Sequence, residues 1–121
     1  MKEFYIQWHI TNRCNLRCIH CYQDDFSAKG ELNWQGLVSI CDCLFKTMQK
    51  WNSRLSIALT GGEPLLKPEF WKLANYLGSQ ERVFELNLIT NGTLIDLYVD
   101  ELLRSCLKKV FTYDTLSSSQ N

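Results

Sequence analysis

Three cysteines, Cys14, Cys18 and Cys21, lie four and three residues apart, directly after an apolar stretch near the N-terminus. Thiolates in so short a segment suit an iron–sulfur cluster, because each sulfur can bind a different iron. Four cysteines would saturate such a cluster, whereas three leave one iron with an open position. An open position is what separates a catalytic metal site from a structural one. The spacing therefore predicts a metal centre that can do chemistry.

Two other interpretations of these cysteines stay open. Their spacing is also that of one face of an α-helix, so they could be small buried apolar residues. Polar residues around them argue against a core helix: Asn12, Arg13, Asn15, Arg17 and His20. A zinc site with His20 as the fourth ligand is the second alternative, although the pattern lacks the paired halves that zinc ribbons and fingers use. Arg13 and Arg17 are interpreted as solvated loop charges, with a role in offsetting a cluster's charge as the alternative.

The segment Cys14-Asn-Leu-Arg-Cys18-Ile-His-Cys21-Tyr22 resembles the C-x-x-x-C-x-x-C motif of the radical S-adenosylmethionine (radical SAM) family, and is most similar to its peptide- and cofactor-maturing members. Two later segments resemble motifs of the same family in the same order. Thr60-Gly-Gly-Glu-Pro64 resembles its methionine-binding segment, and Thr90-Asn-Gly92 resembles the segment that ends its third strand. The resemblance covers nearly the whole chain, from about residue 4 to about residue 110.

This resemblance implies that Cys14, Cys18 and Cys21 bind a [4Fe–4S] cluster whose open iron is chelated by S-adenosylmethionine. It implies reductive cleavage of that cofactor to a 5′-deoxyadenosyl radical, for peptide or cofactor maturation. The implied partners are an electron donor such as flavodoxin or ferredoxin, and a peptide substrate or a complementing chain. The residues implied to contact S-adenosylmethionine are His20, Tyr22, Gly61, Gly62, Glu63, Pro64 and Asn91.

The residues themselves add to this picture. Gly61 and Gly62 lack side chains and so let a ligand approach the backbone closely. Glu63 can accept a hydrogen bond from an ammonium group, and Pro64 fixes the turn; an ordinary strand-to-helix turn is the alternative for this segment. Glu85 and Asn87 lie inside a predicted strand, where a polar side chain that faces a barrel interior needs a partner or a ligand.

Hydrophobic periodicity predicts strands and helices in strict alternation. The predicted strands cover residues 4–11, 54–60, 82–90 and 110–113. The first predicted helix starts near Asn33, which can cap it, and its apolar stripe contains Trp34, Leu37, Val38, Cys41, Leu44, Phe45 and Met48. The second starts at Pro68 and carries on one face Phe70, Leu73, Ala74 and Leu77. The third starts near Ile95 with an apolar stripe that runs to Cys106. The order β-α-β-α-β-α-β predicts an α/β fold with parallel strands and right-handed crossovers. All three motifs follow strands, so they are expected to meet at one edge of the sheet.

Composition narrows the function classes. The chain has 121 residues with 13 basic and 13 acidic side chains, so nothing in its charge predicts a nucleic-acid or membrane partner. With no signal peptide and no apolar run of membrane-spanning length, we expect a cytoplasmic protein rather than a secreted disulfide scaffold. Of the other cysteines, Cys41 and Cys106 are expected in the core, and Cys43 on another side of the same helix as Cys41.

The family's barrel has about six βα units, and this sequence supplies three and the start of a fourth. We therefore expect residues 1–110 to be the first half of a partial (β/α)6 TIM-like barrel that is truncated, and residues 111–121 to be the start of strand four and a polar tail. By itself the chain is expected to have little or no turnover. Two alternatives are an inactive or non-enzymatic iron–sulfur or zinc module, and a small α/β binding domain in which the cysteines are incidental.

Overall fold

The computed structural model of the protein describes residues 1–15, 27 and 29–112. In these ranges strands and α-helices alternate: β1 (Lys2–His9), α1 (Trp34–Lys50), β2 (Ser53–Thr60), α2 (Phe70–Gly78), β3 (Val83–Thr90), α3 (Val99–Arg104) and β4 (Lys109–Thr112). The strands form one sheet in the order β1-β2-β3-β4, and each neighbouring pair is parallel. The predicted α/β fold is confirmed, and it is consistent with the first half of a barrel.

One face of this sheet carries the hydrophobic core. Leu55, Ile57 and Leu59 of β2 are fully buried, and Leu86 and Leu88 of β3 lie in the same cluster. The helices contribute the side chains that their predicted apolar stripes contain: Leu37, Cys41 and Met48 from α1, and Phe70, Leu73, Ala74 and Leu77 from α2. Apolar periodicity therefore predicted correctly which side of α1 and α2 packs on the sheet.

The opposite face of the sheet is more polar. Side chains alternate between the two faces of a strand, so Glu85 and Asn87 lie on the face opposite Leu86 and Leu88. The Asn87 amide donates a hydrogen bond of 2.8 Å to Glu85, and Lys109 Nζ of β4 lies 3.6 Å from the Glu85 carboxylate. The two polar residues of β3 thus face away from the core.

The start of α1 agrees with its predicted cap. Asn33 has an extended backbone, and its side-chain oxygen accepts a hydrogen bond of 2.9 Å from the amide of Gly36. Such a bond satisfies one of the amide groups that a first helical turn leaves free. Within α1, Cys41 is buried and Cys43 is exposed, as predicted.

The third helical segment differs from its prediction. A 3₁₀ turn (Ile95–Tyr98) precedes α3, and α3 ends at Arg104 because Ser105 takes an extended conformation, with φ −78° and ψ 166°. Cys106 therefore lies outside the helix, where it is exposed and its sulfur is 3.3 Å from the carbonyl oxygen of Ala74. The expectation that Cys106 is a core residue is wrong, because the chain leaves the helix early to reach β4.

No helix in the part of the chain that the structure describes is long and apolar enough to cross a membrane.

Candidate metal and cofactor site

The described parts of the three motif segments meet at the carboxyl edge of the sheet, as the topology predicts. Pairing between the first two strands continues past their ends, because Ile10 donates a hydrogen bond of 2.9 Å to the Thr60 carbonyl. The Gly62 amide then donates to the carbonyl of Thr11 at 2.8 Å. The Glu63 amide donates to the carbonyl of Arg13 at 2.6 Å, one residue before Cys14. Backbone hydrogen bonds therefore hold the residues just before the cysteine segment, residues 14–30, against the segment Gly61-Gly-Glu-Pro64.

Two glycines allow this close approach. Gly61 has φ 154°, in a region that side-chain-bearing residues rarely adopt, and a Cβ there would collide with the carbonyl oxygen of Thr11. A Cβ on Gly62 would collide with the carbonyl oxygen of Arg13. The atoms closest to these glycines thus belong to the segment that leads to Cys14, so packing within the chain itself requires glycine here. Contact of Gly61 and Gly62 with a cofactor stays a prediction.

Glu63 is fully buried, and its carboxylate connects the loop that follows β2, the second loop, to the loop that follows β3, the third loop. One oxygen accepts hydrogen bonds from the Thr90 hydroxyl at 2.7 Å and the Asn91 amide at 2.8 Å. The other accepts from the Leu65 amide at 3.1 Å, in the 3₁₀ turn that starts at Pro64. A buried carboxylate is tolerated only when it is hydrogen-bonded in this way. Contacts of Glu63 and Pro64 with S-adenosylmethionine stay predictions.

Asn91 connects the third loop to the cysteine segment. Its side-chain amide nitrogen donates to the Asn15 carbonyl oxygen at 2.9 Å and lies 4.0 Å from the sulfur of Cys14. Its side-chain oxygen accepts from the Thr93 amide at 3.0 Å, which holds the side chain in this orientation. Groups that hydrogen-bond to metal ligands orient those ligands. The half-buried Cys14 therefore fits the role of a cluster ligand.

A buried ion pair that sequence reasoning missed lies beside this edge. Lys67 is 2% exposed, and its ammonium lies 2.7 Å from one oxygen of Glu31. The other oxygen of Glu31 accepts from the Thr11 hydroxyl and from Arg13 Nε, both at 2.9 Å. Arg13 is therefore paired, and its interpretation as a solvated loop charge is wrong. One signal could have indicated this pair: Lys67 is a single charge that follows the apolar run Pro64-Leu-Leu.

The electrostatics of Glu31 follow from these partners. Burial by itself would raise the pKa of its carboxyl group. Hydrogen bonds from Lys67 and Thr11, together with the positive charges of Lys67 and Arg13, outweigh burial and lower the pKa below its ordinary value of 4.5. Glu31 is therefore a carboxylate at neutral pH.

Four of the predicted site residues, Cys18, His20, Cys21 and Tyr22, lie outside the described residues. Within the described ranges no group of three histidine, cysteine or acidic side chains is placed to hold a metal ion. Of the predicted ligands and contacts, the structure brings together Cys14, Gly61, Gly62, Glu63 and Asn91 at one edge, through the hydrogen bonds given above.

Known proteins share this sequence pattern. The family model of the Radical SAM superfamily matches residues 8–116. The chain is 32% identical over 120 residues to GTP 3',8-cyclase of Clostridium acetobutylicum, covering 94% of this chain and 36% of the relative. It is 34% identical over 97 residues to Fe-coproporphyrin III synthase of Methanosarcina barkeri, covering 78% and 23%. It is 31% identical over 116 residues to GTP 3',8-cyclase of Syntrophomonas wolfei, covering 93% and 34%. The chain thus spans about a third or less of the length of these relatives.

Proposed function

Because the chain belongs to the radical SAM superfamily, we propose that Cys14, Cys18 and Cys21 bind a [4Fe–4S] cluster whose open iron position receives S-adenosylmethionine. When bound, such a cluster supplies the electron for reductive cleavage of S-adenosylmethionine to methionine and a 5′-deoxyadenosyl radical. One observation carries the proposal: Cys14 lies at the edge where the described parts of all three motif segments are hydrogen-bonded to one another, with its sulfur beside the Asn91 side-chain amide.

The described residues have distinct tasks in this proposal. Asn91 directs an N–H group at the Cys14 sulfur and so orients it. Gly61 and Gly62 bring the second loop close enough to hold Cys14 at the edge. Glu63 orients the third loop by accepting a hydrogen bond from the Asn91 amide, beside the place proposed for the amino group of S-adenosylmethionine. The peptide groups around Gly61, Gly62 and Pro64 complete the proposed contact with the methionine part of S-adenosylmethionine. His20 and Tyr22 are proposed to contact its adenine.

The proposed partner and location also rest on membership of the family. We propose that a one-electron donor such as flavodoxin or ferredoxin supplies the electron, and that the protein acts in the cytoplasm. The relatives are named for GTP and for an iron coproporphyrin, which supports cofactor maturation over peptide maturation as the reaction class. Because the chain spans about a third of the GTP 3',8-cyclases it matches, turnover is proposed to require a complementing chain or segment. A module that binds the cluster without turnover is the second candidate.

The first test is anaerobic reconstitution with iron and sulfide, followed by low-temperature electron paramagnetic resonance of the reduced protein. We expect a [4Fe–4S] signal that changes when S-adenosylmethionine is added. Cys14→Ala should lose this signal, whereas Cys43→Ala should keep it, because Cys43 is exposed on α1 and lies outside the site. Absence of a cluster in the wild type, or an unchanged signal in Cys14→Ala, would contradict the proposal. Chromatography then detects whether 5′-deoxyadenosine is formed. Its formation distinguishes an enzyme from a module that only binds the cluster.

A further inference from the structure

The Glu31–Lys67 ion pair is more buried, and has more polar neighbours, than an ion pair on a protein surface. The side chain of Lys67 is 1% exposed and that of Glu31 is 11% exposed. Besides the carboxylate of Glu31, the Lys67 ammonium lies 3.4 Å from the carbonyl oxygen of Leu32 and 3.8 Å from the carboxylate of Glu69. Removing two charges from water is costly, and buried pairs persist only where further hydrogen bonds satisfy both groups. A buried ion pair of this kind is therefore not explained by a contribution to overall stability alone.

The position of Glu31 in the chain supplies that reason. Thr11 and Arg13, which bind one oxygen of Glu31, come just before Cys14. Glu31 itself follows the segment 14–30, which contains all three cysteines of the motif. One carboxylate therefore connects the two ends of the cysteine segment. Lys67 holds the other oxygen of that carboxylate from the loop that follows β2.

We propose that Lys67 is a positioning residue for the metal site: it holds Glu31 against Thr11 and Arg13 and so fixes both ends of the cysteine segment before a cluster binds. Closing a segment of this length costs conformational entropy, and a segment whose ends are already fixed does not lose that entropy again on binding metal. The proposal rests on the proposed function, because it takes the cysteines as cluster ligands. The ion pair itself is independent of that assignment.

The test compares Lys67→Met and Lys67→Arg with a matched control. Tyr76→Phe removes another partly buried contact between residues far apart in the chain, the 2.6 Å hydrogen bond from Tyr76 to Asp42, which joins α2 to α1 away from the cysteine segment. Reconstituted proteins are challenged with an iron chelator, and loss of the cluster's visible absorbance is followed. We expect Lys67→Met to lose the cluster about tenfold faster than the wild type, in line with the effect of removing groups that orient metal ligands. Lys67→Arg should restore most of the retention, and Tyr76→Phe should match the wild type.

A second measurement uses the protein without metal. The amides of Gly62 and Glu63 donate to the carbonyls of Thr11 and Arg13, so their hydrogen exchange reports whether the start of the cysteine segment is held in place. We expect faster exchange at these two amides in Lys67→Met than in Tyr76→Phe. Glu31→Gln is the second variant. It should behave like Lys67→Met because it weakens the contacts of residue 31 with Lys67, Thr11 and Arg13.

The outcomes separate the two proposals. If the wild type assembles no cluster, the proposed function fails, and hydrogen exchange then decides whether Lys67 fixes the start of the segment. If the cluster assembles and Lys67→Met retains it as well as Tyr76→Phe does, the positioning role is overturned. Equal exchange at Gly62 and Glu63 in the two variants overturns it as well.

Discussion

The helix-covered face of the sheet and its carboxyl edge are stabilised in different ways. The face is held by apolar side chains such as Leu59 and Leu73, which are fully buried and need no particular partner. The edge buries Glu63 and Lys67 as completely, but each of these charged groups is held by specific hydrogen bonds or ion contacts. Apolar burial is non-directional and tolerant, whereas buried charge depends on exact partners. The difference indicates that the face supports the fold and that the edge is specialised to position groups.

The strongest test of this contrast is a core truncation. Leu73→Ala removes a fully buried side chain from α2 and should lower the free energy of unfolding by about 2–5 kcal/mol, the range for such changes in protein cores. Leu103→Ala is the matched control, because Leu103 is 79% exposed and its truncation should cost less than about 0.5 kcal/mol. Denaturant titration measures both values. Reconstituted Leu73→Ala that remains folded should show the same electron paramagnetic resonance signal as the wild type. A changed signal would show that the site at the edge depends on the core at the helix-covered face.

A conservative change at the edge should cost less stability and yet disturb the site more. Glu63→Gln keeps the size of the side chain, but one of its two terminal atoms becomes an NH₂ group that faces donors from Leu65, or from Thr90 and Asn91. Leaving a buried donor without its acceptor costs about 1–3 kcal/mol.

We therefore expect Glu63→Gln to unfold at lower denaturant concentration than the wild type and to show faster hydrogen exchange at the Asn91 amide. Glu81→Gln is the control, since Glu81 is exposed, and it should match the wild type in both measurements. Wild-type exchange at Asn91 in Glu63→Gln would show that the third loop does not depend on this carboxylate.

The smallest expected effect is a pH dependence from Glu31. Its pKa in the folded protein lies below the ordinary value of 4.5, so this group contributes stability that is present above the unfolded pKa and is lost as the pH falls through the folded pKa. The free energy of unfolding should therefore decrease as the pH falls below about 5. In Glu31→Gln this decrease should be shallower, whereas Glu81→Gln should follow the wild type. Equal slopes in all three proteins would mean that the Glu31 carboxylate is not held as the structure indicates.

Hydrophobic periodicity and capping residues were sufficient to predict most of the helices and strands and the buried faces of α1 and α2. The apolar stripe of α2 predicted Phe70, Leu73, Ala74 and Leu77 as its buried face, and all four are buried. Asn33 caps α1 as its residue type predicts, and the predicted ends of the strands lie within two residues of the observed ones where both are described. These features depend on periodicity and on capping, which act over a few residues and are therefore visible in a sequence.

The contacts that hold the site together depend on the folded chain. The order of the motifs and, through the parallel topology, their meeting at one edge follow from the amino-acid sequence alone. Only the folded chain pairs Glu31 with Lys67, 36 residues further along, and turns Asn91 toward Cys14. Only packing shows that Gly61 makes room for the carbonyl of Thr11. The physical reason is that hydrogen bonds and ion pairs are directional and short, so their partners are set by how loops from different strands approach one another.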